Sequence, residues 1–148
     1  MNPDQRFFFA KFDTPSFVNQ RLIGLTHKEA YPDEELNHAL LNSMLTMFYI
    51  EASGFGRGLG VLDINKDKIA KCYMLNPKLI SRENRDKIVK AFEKLKARPI
   101  MRVADELSDE TRIAFEHTVL QSFGLDNYFD KITSSLLSMI ETRTTVKE

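Results

Sequence analysis

At 148 residues, 43% of them hydrophobic, the chain is long enough to bury one core, or one domain with a helical appendage, without a disulfide or metal to hold it. Its single cysteine, Cys72, excludes an internal disulfide and suits a reducing compartment, and its longest near-apolar run, residues 44–50, is far short of the roughly 20 residues that span a bilayer. The formal net charge of zero hides an uneven distribution: 5 basic and 7 acidic side chains in residues 1–60, 12 and 5 in residues 61–102, and 4 and 9 in residues 103–148, a basic middle able to attract a polyanion.

The first six residues, Met-Asn-Pro-Asp-Gln-Arg, lack the basic region and cleavage site of a signal peptide, so a cytoplasmic protein with no membrane partner is expected. Residues 7–12 and 18–25, rich in aromatic and branched side chains and separated by Asp-Thr-Pro-Ser, read as two strands. Asp33 is a candidate N-cap with Glu34 and Glu35 behind it. From there to about Ser53, Leu36, Leu40, Met44, Met47 and Phe48 form one face of a helix of about 20 residues, roughly 30 Å long and stopped by Gly54.

Residues 60–64 and 69–75 look like two further strands, with Asn-Lys-Asp-Lys at 65–68 as a hairpin turn between them. Ser81 caps a periodic helix that turns Ile88, Phe92 and Leu95 inward and Arg85, Lys87, Lys90 and Lys94 outward. Two helices complete the chain, one capped by Ser108 and ended by Gly124, the next capped by Asp126. The expected fold class is α+β: a small antiparallel sheet packed on a long central helix, followed by a C-terminal helical subdomain. The expected division is residues 1–102 and 103–148.

The four-glycine loop of residues 54–60 follows a helix and opens a strand, the reverse of a nucleotide-binding loop, and has no Gly-Lys-Ser/Thr ending. It serves as a helix stop and tight turn, or it carries Arg57 to a phosphate or a base edge. His27, His38 and His117 are too scattered for a zinc site, and Cys72 reads as a small packed thiol.

In order and spacing, these features resemble the target-recognition portion of bacterial adenine-N6-specific DNA methyltransferases, including fused restriction-modification enzymes. In that family an apolar helix reads roughly LLNSxLxxxYIE, and a glycine-rich turn and a GxLxI strand follow. Leu40, Leu41, Asn42, Ser43, Leu45, Tyr49, Ile50 and Glu51 match the first pattern, and Gly58, Gly60, Leu62 and Ile64 the second. A third pattern, RxxLDxxVxxxLGL followed by a helix ending in arginine, is met by Arg112, Val119, Gly124 and Leu125, with Phe115, Glu116 and Phe123 substituted and Arg143 near the end. The family's LPIPxP segment is degenerate here, as Met-Leu-Asn-Pro.

The resemblance implies a piece of a larger enzyme of a restriction-modification or phage-defence system. The intact enzyme would move a methyl group from S-adenosylmethionine to a flipped adenine. Asn76-Pro77 lacks the second proline and the aromatic residue of that family's catalytic tetrapeptide, and no loop suited to S-adenosylmethionine is present. The cofactor and the chemistry would therefore belong to a missing catalytic domain, and this segment would hold and help select double-stranded DNA. Arg57, Lys66, Lys68 and Lys71 would form the DNA-facing rim, with Arg21 beside them. Asn42 and Ser43 are read as bonding backbone or a neighbouring strand rather than DNA. Two alternatives are a protein-interaction module docking through the acidic helical pair of residues 105–143, and a small nuclease using Asp63 and Glu93.

Overall fold

The computed structural model describes residues 5–19, 22–26, 33–56 and 61–145. Among them the chain is helical: α1 (Glu34–Leu41), α2 (Met44–Ser53), α3 (Lys66–Lys71), α4 (Arg82–Lys96), α5 (Val103–Glu106), α6 (Glu110–Ser122) and α7 (Phe129–Thr144). Single 3-10 turns at Pro77–Leu79 and Asp126–Tyr128 precede α4 and α7. The only paired strands there are β1 (Phe55–Gly56) and β2 (Leu62–Asp63), antiparallel with Phe55 opposite Asp63. Four strand residues cannot form a sheet that packs on a helix, so the α+β expectation is overturned and the fold is an α-helical assembly.

The expected long central helix is two helices. Asp33 caps α1 by accepting from Leu36 N at 3.2 Å, and the helix stops at Leu41 because its next donors and acceptors are diverted. Asn42 Nδ2 donates to His38 O at 2.9 Å, while Ser43 Oγ and Thr46 Oγ1 both donate to Leu40 O, at 2.9 and 2.8 Å. Met44 N, which a continuous helix would aim at Leu40 O, instead donates to Glu116 Oε1 at 2.9 Å. Ser43 then takes extended angles and caps α2 through Thr46 N.

Of the expected strands, 60–64 is met in part by β2, and the others fail for separate reasons. Residues 7–12 do alternate over their first part, with Phe7 and Phe9 turned inward and Phe8 outward. Their backbone meets a side chain, however, rather than a strand: Phe9 N donates to Asn42 Oδ1 at 2.9 Å, and Phe9 O accepts from Asn42 Nδ2 at 3.1 Å. The described part of 18–25 forms no strand. Over 65–75, Asn65 is a helix cap accepting from Lys68 N at 3.0 Å, not a hairpin corner, and α3 replaces the start of the expected second strand.

Three apolar clusters hold the helices. Leu36, Ala39 and Leu40 of α1 pack with Ile88, Phe92 and Leu95 of α4 and Phe115 and Val119 of α6. Met44 and Met47 of α2 pack with Val103, Leu107, Leu120 of α6 and Leu136 of α7. Ile50, Leu62, Ile64 and Ile69 form the third cluster. Helix α6 thus faces α1 and α4 with one set of residues and α2 and α7 with another, which makes it the shared centre. It is capped by Asp109, one residue beyond the expected Ser108. It ends in a Schellman turn with Gly124 at φ +69° and Leu125 N bonded to Leu120 O at 2.8 Å.

Gly54 lies at an ordinary negative φ, so the turn does not need it for its backbone angles. It is needed for close approach, since a Cβ there would collide with the Leu62 side chain.

Candidate nucleic-acid interface

The polar residues that carry the resemblance are drawn together inside the fold. Arg112 of α6 is 3% exposed; its Nη2 donates to Asn42 O at 2.8 Å and lies 2.7 Å from Glu116 Oε1. Glu106 bonds Arg98 through both oxygens, at 3.0 and 2.7 Å, and accepts Met101 N at 2.9 Å. Glu51, at the end of the first pattern, pairs with Arg143, near the end of the third, at 2.5 Å, with both side chains more than nine-tenths buried. The first and third patterns therefore touch at both ends. Burial drives the Glu116 pKa upward against the opposing pull of Arg112 and the Met44 N–H. Arg98 Nε, Arg112 Nε and Glu116 Oε2 are buried without a hydrogen-bond partner among the described residues, while the other charged groups of the network bond one another or the backbone and so organise the fold.

A groove of about 350 Å³ lies over this network, between residues 7–11 and the end of α4. Its rim cations are also taken. Lys11 pairs with Glu35 at 2.7 Å and Lys96 with Glu93 at 2.6 Å, while Arg98 holds Glu106. The His117 Nδ1–Asp126 Oδ1 contact at 2.7 Å, with Phe129 stacked 4.3 Å away, joins α6 to the turn before α7. The hydrogen bond from His117 lowers the Asp126 pKa. Cys72 Sγ donates to Lys68 O at 3.4 Å and lies 3.3 Å from Ser53 Oγ, a packed thiol joining α3 to α2. Among the described residues no cluster of His, Cys, Asp or Glu is arranged to hold a metal ion.

Other cations lie further out. Lys66 and Lys71 are exposed on α3, whereas Lys68 is half-buried. At about 100° per residue, Lys68 points about 200° from Lys66, so the three do not share one face of α3. Arg57 and Arg21, the remaining expected DNA contacts, lie outside the described residues. Helix α4, whose outward lysines are legible in the sequence, is absent from the sequence-based site. Lys87, Lys90 and Lys94, at spacings of three and four, form one exposed stripe in which Lys87 pairs with Glu83 at 2.7 Å. Lys90 and Lys94 meet no carboxylate among the described residues.

For the rival readings, Asp63 is half-buried on β2 and Glu93 is exposed on α4 beside Lys96. Of the aromatics on the acidic helical pair of residues 105–143, Phe115 is fully buried, Phe123 and Phe129 are half-buried against the core, and Tyr128 is exposed. Among the described residues no helix is long and apolar enough to cross a membrane. No protein-family model, curated protein or solved structure matches the chain.

Proposed function

We propose that this chain is a non-catalytic, duplex-holding segment of an S-adenosylmethionine-dependent adenine-specific DNA methyltransferase. The observation that carries the DNA-holding part is the contrast between two sets of cations. Arg85, Arg98, Arg112, Arg143, Lys11 and Lys96 each meet a carboxylate within the fold. Lys66, Lys71, Lys90 and Lys94 are exposed and meet none among the described residues. Exposed lysines with no internal partner can neutralise phosphates and release counterions without breaking anything that holds the fold. The methyltransferase part rests on the resemblance. It is supported by the direct bonds between the matched patterns, Arg112 to Asn42 O and Arg143 to Glu51.

Fluorescence anisotropy with a labelled duplex across a salt series tests the reading. Affinity falls linearly in log salt. Reversing Lys66, Lys71, Lys90 and Lys94 to Glu flattens the slope by about 0.9 for each phosphate that is no longer neutralised. Reversing Lys131, exposed on α7 but within the acidic residues 103–148, instead leaves the slope in place. Equal slopes for the wild type and the four-lysine variant overturn the proposed surface.

A further inference from the structure

We propose that residues 8–12 pair edge to edge, antiparallel, with the same residues of a second copy of this chain. In an extended backbone the N–H and C=O of successive residues point to opposite edges. Phe9 directs both of its groups at the Asn42 carboxamide. Phe8 and Ala10 therefore direct theirs to the other edge, where no backbone bond to any described residue meets them.

Open edges in stable proteins are normally guarded by charge, proline or a covering element. Here the run is Phe-Phe-Phe-Ala-Lys-Phe, and its one cation does not guard it. The Lys11 ammonium is drawn back onto α1 by Glu34 at 3.2 Å and Glu35 at 2.7 Å.

The edge is also self-complementary. A two-fold axis through Ala10 sets Ala10 against Ala10 of the other copy and Phe8 against its Phe12. The positions that exchange backbone bonds are then the even-numbered ones, whose groups face the open edge. Phe8 and Phe12 would meet as a cross-strand aromatic pair on the outer face, an arrangement that favours this register over slipped ones. Phe8, Phe12 and Phe17 are 52%, 63% and 108% exposed. At roughly 200 Å² per ring, Phe8 and Phe12 of two copies present roughly 460 Å² of exposed aromatic surface beside this edge. The inference is independent of the DNA-holding proposal.

Sedimentation or light scattering from micromolar to millimolar protein gives the first readout: the mass rises from 17.1 kDa toward twice that value. Ala10→Pro removes an edge N–H and leaves the chain monomeric, with the helical circular dichroism of the wild type. Ala10→Cys in a Cys72→Ser background forms a self-disulfide under mild oxidation, since directly bonded antiparallel neighbours lie about 5.5 Å apart between Cα atoms. Phe17→Cys in the same background reacts more slowly. A chain that stays monomeric throughout overturns the proposal. So does a dimer that survives Ala10→Pro and forms no disulfide through position 10.

Discussion

Glu116 on α6 accepts the backbone N–H of Met44 on α2 at 2.9 Å, capturing across 72 residues of sequence the donor that would have carried α1 straight into α2. The same carboxylate oxygen lies 2.7 Å from Arg112 Nη2, which also donates to Asn42 O and to Met47 Sδ. One buried ion pair thus fixes both sides of the break between the first two helices.

Removing half of that pair is costlier than removing all of it. Glu116→Leu leaves Arg112 buried beside a missing charge and costs about 3–5 kcal/mol. Arg112→Met with Glu116→Leu is markedly less destabilising than the sum of the two single changes. Urea denaturation of the four proteins gives the coupling, and strict additivity would contradict the arrangement.

Asn42 stands where a neighbouring strand would stand for residues 7–12. Asn42→Ala removes both bonds to Phe9 and costs about 1–3 kcal/mol. Hydrogen exchange at the Phe9 amide accelerates, while the α4 amides keep their protection. Ser43→Ala costs about 1 kcal/mol because α2 is left without its cap. Retained protection at Phe9 in Asn42→Ala would show that something else secures the segment.

Acid stability follows from two groups of opposite sign. The hydrogen bonds from Arg85 lower the Asp33 pKa below its ordinary 3.8, so its contribution is complete above that pH and is lost as pH falls through the folded value. Burial raises the Glu116 pKa above its ordinary 4.5, so that group favours the folded state below 4.5 and loses this advantage as pH rises through its folded value. Glu35, Glu83 and Asp126 are shifted downward like Asp33. Thermal stability therefore declines as pH falls below about 4, and Asp33→Asn makes that decline shallower. An unchanged acid limb would remove the Asp33–Arg85 pair from the explanation.

Local signals are legible in the sequence where the partner is local. Asp33, Ser81 and Gly124 mark real helix ends because a cap bonds within three or four residues. The apolar face of α4 is readable because its periodicity is local too. The expectations fail where a distant group decides the outcome. Nothing between residues 34 and 53 announces that Glu116 will claim Met44 N. A strand pattern over 7–12 does not reveal that its edge is met by a carboxamide on a helix. Asn65 is ambiguous at short range, since the same residue begins a turn or caps a helix, and the outcome moves Lys66 and Lys68 to different sides of α3. The lysine stripe on α4 is equally visible in the sequence, but the resemblance draws the expected site toward the glycine loop instead.

Chemical-shift mapping with a short duplex measures the surface that carries the DNA-holding proposal. Backbone amides of α3 and the outer face of α4, around Lys66, Lys71, Lys90 and Lys94, should shift on addition of DNA and return as salt is raised. Shifts absent from both helices, or confined to α7 and its acidic surroundings, would contradict it.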